Sequence, residues 1–225
     1  MPRFEAITFD CYGTLIDWEQ GISKALAPFL SRLSNVPSPE KILSLYGELE
    51  SAAEKIWRPY KEVLRIVMKG LAKKLGFTLL PGEDTALIKS LPSWMPFPET
   101  NQTLEELSSR GIKLVIISNI DQDLIVQTLR HFTISFDLII TAEEARCYKP
   151  DLKIFKIALE KLALPREKIL HVGQSIFHDM IPAKILGLTT CWVRRPGRDP
   201  YGATPKAKAN PDFVIRDLRE LLTLF

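Results

Sequence analysis

The sequence predicts an α/β fold, a mostly parallel sheet covered by helices on both faces, with a helical segment inserted after the first strand. Three observations lead there. Short apolar runs rich in β-branched residues recur along the chain, and stretches of helical periodicity separate them. The longest such stretch, between the first and second runs, contains no convincing strand.

The first run is Ala6–Phe9. From about Trp18 to Leu91 apolar residues recur at helical spacing instead, as Ile22, Leu26, Phe29 and Leu30, and again as Val63, Ile66, Val67, Leu71 and Leu75. Pro37-Ser38-Pro39 and Pro81-Gly82 punctuate these helices, and Ser38 is placed to N-cap a helix that begins at Pro39. Residues 91–98, with Pro92, Pro96, Pro98 and Trp94, read as a stiff linker back to the sheet. Further strands are predicted at residues 114–117, 136–141, 169–172 and 190–193. A polar, turn-rich tail beyond Arg195 then leads to a short strand at Phe213–Ile215 and a closing helix. The predicted organisation is a core of residues 1–16 and 98–225 and a helical cap of residues 17–97.

Hydrophobic residues make up 46% of the 225 and charged residues 25%, enough to bury the core of a soluble enzyme. The net charge of +3 is spread out, with no basic stripe interleaved with aromatics, so no nucleic-acid partner is expected. Cys11, Cys147 and Cys191 are odd in number, far apart and without metal-ligand spacing, which predicts reduced thiols. The N-terminus runs straight into a strand, and no stretch approaches the ~18 apolar residues of a membrane span. The expectation is a cytoplasmic protein that does not engage a membrane.

Ligands of parallel sheets sit beyond the carboxyl ends of the strands, so the residues following each strand are the candidates for chemistry. After the first comes Asp10-Cys11-Tyr12-Gly13-Thr14, a carboxylate followed by a glycine that permits a tight turn. Ser118 and Asn119 follow the second, and Tyr148-Lys149-Pro150-Asp151 lies beyond the third. The fourth leads into Val172-Gly173-Gln174-Ser175-Ile176-Phe177-His178-Asp179. His178 has two readings, a base beside Asp179 or a residue that faces solvent or caps the next helix, and the second is favoured. His171 reads as structural. Trp57, Tyr60 and Trp94 form either an apolar wall over a pocket or ordinary core packing.

One polar cluster at each successive strand end resembles the haloacid dehalogenase (HAD) superfamily, and the resemblance covers essentially the whole chain. Asp10 with Gly13 and Thr14 looks like its first motif, Ser118 the second, Lys149 the third and Asp179 in the Gly173 loop the fourth. It implies a Rossmann-like core with the active site between core and cap. Most members are magnesium-dependent phosphatases with a second Asp as general acid two residues after the nucleophile and an acidic residue after the fourth-motif Gly. Here those positions are Tyr12 and Gln174. The Asp-x-Tyr-Gly-Thr form, with Leu15-Ile16-Asp17-Trp18, Ser118-Asn119 and Tyr148-Lys149-Pro150, is similar to the type II 2-haloacid dehalogenases, which require no metal and often dimerise.

The resemblance implies that Asp10 attacks C2 of a 2-haloacid, expels halide and forms an aspartyl ester that water hydrolyses. It makes Asp10, Thr14, Ser118, Lys149 and Asp179 catalytic. Thr14 and Ser118 would hold carboxylates, Lys149 would offset charge at Asp10, and Asp179 would hold Lys149 or help activate water. Cys11, Tyr12, Asn119 and Ser175 would border the substrate, Asn119 cradling the halide and Cys11 packing behind the nucleophile. A cap arginine, Arg58 or Arg65, would contact the halide. The alternatives are an atypical magnesium-dependent phosphatase, the only reading that brings in a metal cofactor, and a binding protein on a lapsed catalytic fold.

Overall fold

A computed structural model describes residues 4–199 and 203–225, in which six strands form one parallel sheet. They are β1 (Ala6–Phe9), β2 (Lys113–Ser118), β3 (Leu138–Thr141), β4 (Ile169–Gly173), β5 (Thr189–Val193) and β6 (Phe213–Ile215), in the order β3-β2-β1-β4-β5-β6. Residues 1–3 and the 200–202 portion of the predicted tail loop lie outside the described residues. The strand order reverses at β1, which pairs with β2 on one side and β4 on the other. That reversal opens a crevice at the carboxyl ends of β1 and β4, the usual ligand position in such sheets.

Alternation along the strands builds two apolar layers. Ile7, Phe9, Leu114, Ile116, Leu170 and Val172 face one way, and Ala6, Val115, Ile117, Ile140 and Ile169 the other. Between β1 and the linker at 91–98 lie α1 (Trp18–Leu30), α2 (Pro39–Glu54), α3 (Tyr60–Leu75) and α4 (Ala86–Ser90). Ser38 caps α2 by accepting from the Lys41 N–H, with Pro39 at the first position. Buried residues of these helices, Ile22, Leu26, Val63, Val67 and Leu71 among them, join the first apolar layer in one continuous cluster. Ile66 departs from the expected stripe and is exposed.

The linker at 91–98 begins with a 3-10 turn, Leu91–Ser93, and then pairs with the segment that enters the insert. Asp17 N–H donates to the Met95 carbonyl (2.9 Å) and Phe97 N–H to the Leu15 carbonyl (3.0 Å). The chain thus leaves and re-enters the core through two mutually bonded segments. The rest of the core follows as α5 (Thr100–Ser109), α6 (Gln122–Thr128), α7 (Ala142–Ala145), α8 (Leu152–Leu162) and α9 (Ile181–Ile185). Leu104 and Leu107 of α5 cover the first layer, and Ile154, Phe155 and Ala158 of α8 cover the second.

Two predicted elements differ in detail. β3 starts at Leu138 rather than 136, because Asp137 turns the chain in. Its N–H donates to the Leu114 carbonyl and its carboxylate accepts from the Leu114 N–H, both at 2.8 Å. The closing helix is a 3-10 helix, Leu218–Leu224. Among the described residues no helix is long and apolar enough to cross a membrane.

Candidate active site

Asp10 extends β1 by one residue, its N–H donating to the Val172 carbonyl of β4 (3.0 Å). Its carboxylate therefore emerges at the strand-order reversal. Gly13 turns the chain away at φ +103°, a region that L side chains rarely adopt, and a Cβ there would sit 2.9 Å from Trp18 Nε1. Thr14 Oγ1 donates to Asp10 Oδ2 (2.8 Å) and accepts from the Gln174 N–H (2.9 Å), which ties the first and fourth strand ends together.

Lys149 Nζ lies 2.8 Å from Asp10 Oδ1 and 2.7 Å from Asp179 Oδ1. Asn119, at the end of β2, clamps the lysine backbone: Oδ1 accepts from the Lys149 N–H (2.7 Å) and Nδ2 donates to its carbonyl (3.3 Å). Asp179 sits in a π-helical turn, Ile176–Met180, whose start is capped by Ser175 Oγ accepting from the His178 N–H. The Ser175 N–H in turn donates to Asp179 Oδ2 (3.2 Å). Gly173 is required for this closeness, since a Cβ there would lie 2.6 Å from the Asp179 side chain. Beneath it, His171 donates to or accepts from Thr8 Oγ1 through Nδ1 (2.8 Å) and brings Nε2 to 3.5 Å from Asp179 Oδ1.

One ammonium between two carboxylates sets the electrostatics. Burial alone would push Asp179 up, but the charges and hydrogen bonds of Lys149 and His171 outweigh it and hold the acid well below the usual carboxylate range. Burial dominates at Asp10 and raises it, opposed by Lys149 and assisted by the charge of Asp179. Burial would lower Lys149, yet the two aspartates raise it above its ordinary value, so it stays charged. Burial pushes His178 down to about 4, leaving it neutral at pH 7.

These groups open on a cavity of about 70 Å³. The core contributes Asp10, Tyr12, Ser118, Asn119, Lys149, Ser175 and His178 to its lining, and the helices between β1 and β2 contribute Trp18, Tyr46, Glu50, Glu54 and Tyr60. Trp94 of the returning linker packs edge-on against Tyr12 at 6.0 Å between centroids and completes the aromatic wall. Ser118 Oγ is buried and has no hydrogen-bond partner among the described residues, so one donor is left for a bound ligand.

The sequence profile of the haloacid dehalogenase-like hydrolases matches residues 4–187, a span that holds every residue of this constellation. The chain belongs to that family. An (S)-2-haloacid dehalogenase of Pseudomonas putida is 29% identical over 98% of this chain and 97% of its own length. A glyceraldehyde 3-phosphate phosphatase of Methanocaldococcus jannaschii is 39% identical, over 57% of this chain and 56% of its own. Among solved structures, an L-2-haloacid dehalogenase superposes with a TM-score of 0.83 at 22% identity, covering 98% of this chain and 97% of that one.

The hydrolase fold brings Asp10, Ser118, Lys149 and Asp179 together at one cavity. Thr14 lies behind Asp10 rather than in the lining, and Cys11 is buried outside the lining, so it does not border a substrate. The cap arginines are displaced. Arg58 Nε donates to the Ile56 carbonyl and Arg65 is exposed on α3, and neither lines the cavity. The charged side chains that the inserted helices bring to the lining are instead Glu50 and Glu54 of α2. Trp57 leaves the expected wall as well, lying under the Arg146 guanidinium at 4.7 Å. His178 does not simply face solvent, because it lines the cavity.

Sequence reasoning missed Tyr46, Glu50, Glu54 and Trp18. The signal was present in Tyr46, Glu50 and Glu54, which recur every four residues and so share a helix face. A hard dication fits the donor set poorly. Each oxygen of Asp10 and Asp179 already accepts a protein hydrogen bond, and the residue after Gly173 is the uncharged Gln174. Among the described residues no three acidic, His or Cys side chains converge as metal ligands.

Proposed function

We propose that this hydrolase cleaves carbon–halogen bonds of small 2-haloacids without a metal, through an aspartyl ester on Asp10. The observation that carries the reading is the Asp10 carboxylate, gripped by Lys149 and Thr14 and facing an aromatic-walled cavity. The cavity, about 70 Å³ and walled by Tyr46, Tyr60 and Trp94, is small and suits a compact substrate. Full-length kinship to an (S)-2-haloacid dehalogenase supports the same reading.

Ser118 Oγ, buried without a partner, donates to the substrate carboxylate. Asp10 attacks C2, the C–halogen bond breaks with its electron pair on the halogen, and the ester forms. The ester carbonyl is then attacked by water, whose proton passes to His178, neutral at pH 7 and lining the same cavity. The Lys149 charge favours the ionised aspartate as nucleophile in the first half, and in the second the 2-hydroxyacid oxygen leaves with the proton while Asp10 is restored as a carboxylate beside Lys149. Asn119 spends its carbonyl oxygen and one amide N–H on Lys149, which leaves one N–H toward the cavity.

Tyr12 disfavours phosphoryl transfer. Its hydroxyl bonds Thr128 Oγ1 (2.7 Å), and burial pushes it well above an ordinary phenol, so it is no acid for an alkoxide leaving group. Halide release from chloroacetate or 2-chloropropionate in the presence of EDTA, lost in Asp10→Asn, is the expected result. Magnesium-dependent phosphate release without any halide release would overturn the reading.

A further inference from the structure

The reaction above leaves two acids of the cavity wall unused. Glu50 and Glu54 lie one turn apart on α2, with Tyr46 a turn earlier, and all three line the cavity. Glu50 Oε1 accepts from the hydroxyls of Tyr46 (3.1 Å) and Tyr60 (2.5 Å). Glu54 accepts no hydrogen bond among the described residues. Among the described residues the wall therefore holds four carboxylates and one ammonium, with no arginine. A haloacid would bring one more negative charge into a space that cannot hold them all ionised.

The surroundings sort the four acids. Lys149 serves Asp10 and Asp179, and the two tyrosine hydroxyls serve Glu50. Glu54 is left without a partner, and burial followed by the Glu50 charge pushes it well above an ordinary glutamate, against the pull of Lys149. From the core, His178 is neutral and Tyr148 gives its hydroxyl to the Arg58 carbonyl (2.7 Å), so neither supplies Glu54 with a charge. The remaining proton belongs on Glu54. Independently, the unpartnered Ser118 Oγ in the same cavity marks where a ligand's acceptor binds.

We propose that Glu54 donates a proton to the departing group as Asp10 attacks, so that this site is built for 2-fluoroacids, whose leaving group is the most basic of the halides. The proposal rests on the dehalogenase reading and deepens it. In the first half, an Asp10 oxygen bonds to C2, the C–F bond breaks with its pair on fluorine, and the Glu54 proton makes hydrogen fluoride. In the second, water adds its oxygen to the Asp10 carbonyl carbon, the alcohol oxygen leaves protonated as the 2-hydroxyacid, and the surplus proton returns through His178 to Glu54. The sum is one fluoroacid and one water giving one hydroxyacid and one hydrogen fluoride. Chloride and bromide leave without a proton and gain only a hydrogen bond.

The test is halide release from fluoro-, chloro- and bromoacetate by the wild type, Glu54→Gln and Glu54→Ala, with a pH profile for each. Fluoride release is expected to fall roughly 10²-fold further than bromide release in both variants. The wild-type loss of rate at high pH, where Glu54 ionises, is expected to vanish with the substitution. An equal loss on all three substrates, or an alkaline limb that survives in the variants, overturns the proposal while leaving the dehalogenase reading standing. A wild type that releases no halide at all overturns the dehalogenase reading, and this proposal with it.

Discussion

Lys149 is shared by two buried carboxylates, Asp10 and Asp179, and removing it would strand both. Lys149→Met is expected to destabilise the fold by about 3–5 kcal/mol, the cost of uncompensated buried charge. For a chain of this size that is a fall in Tm on the order of 10 °C, measurable by thermal unfolding. The pH dependence follows from the same triad. Asp179 is held below its unfolded value of ~3.9, so its contribution is full above that pH and is lost as pH falls through the lower folded value. Lys149 is raised, so its contribution is full below ~10.4 and is lost as pH rises beyond. Asp10, raised instead of lowered, acts in the opposite sense to Asp179 and offsets part of the acid effect. Thermal melts from pH 3 to 11 are therefore expected to show a plateau with an acid fall-off that Asp179→Asn makes shallower. Asp10 and Ser118 were legible because a strand fixes where its last and next residues point, whereas Lys149 and Asp179 are brought to the same cavity by the longer segments after β3 and β4. Glu54 and the displacement of Arg58 were not legible. A helical face can be read from spacing, but which face meets the core is decided by packing far along the chain.

At the scale of elements, every strand was legible to within two residues at its ends, since buried parallel strands are short apolar runs with little else in their pattern. The turn that carries Asp179 was not. It is a π-helical turn, Ile176–Met180. Its cause is local crowding: Gly173, Ser175 and Asp179 are packed so closely that the Ser175 N–H reaches the carboxylate and its Oγ caps the turn. Gly173→Ala would place a Cβ 2.6 Å from Asp179 and push the turn outward. Displacing Asp179 from Lys149 by about 1 Å is expected to cost roughly 10²-fold in kcat, a loss that steady-state halide release would measure. The linker at 91–98 was legible as stiff and proline-rich, but its pairing with residues 15–17 depends on a partner 80 residues away.

Across the whole molecule, the parallel sheet places the reacting groups and the helices inserted after β1 close a small chamber over them. The insertion was legible from the switch in hydrophobic period between the first two strands. The size of the chamber was not, because volume depends on how Tyr46, Tyr60 and Trp94 meet Tyr12 across it. With about 70 Å³ available, kcat/KM is expected to fall steeply as the 2-haloacid lengthens from two or three carbons to five or more. A flat dependence on chain length would mean that the wall opens during turnover. The central claim, that Asp10 attacks carbon and carries the substrate as an ester, is tested most directly by a single turnover in ¹⁸O water with enzyme in excess over chloroacetate. Mass spectrometry of the protein and product is expected to find ¹⁸O in Asp10 and unlabelled oxygen in the glycolate hydroxyl. Label in the glycolate hydroxyl with none in Asp10 would contradict it, because water itself would then have displaced the halide.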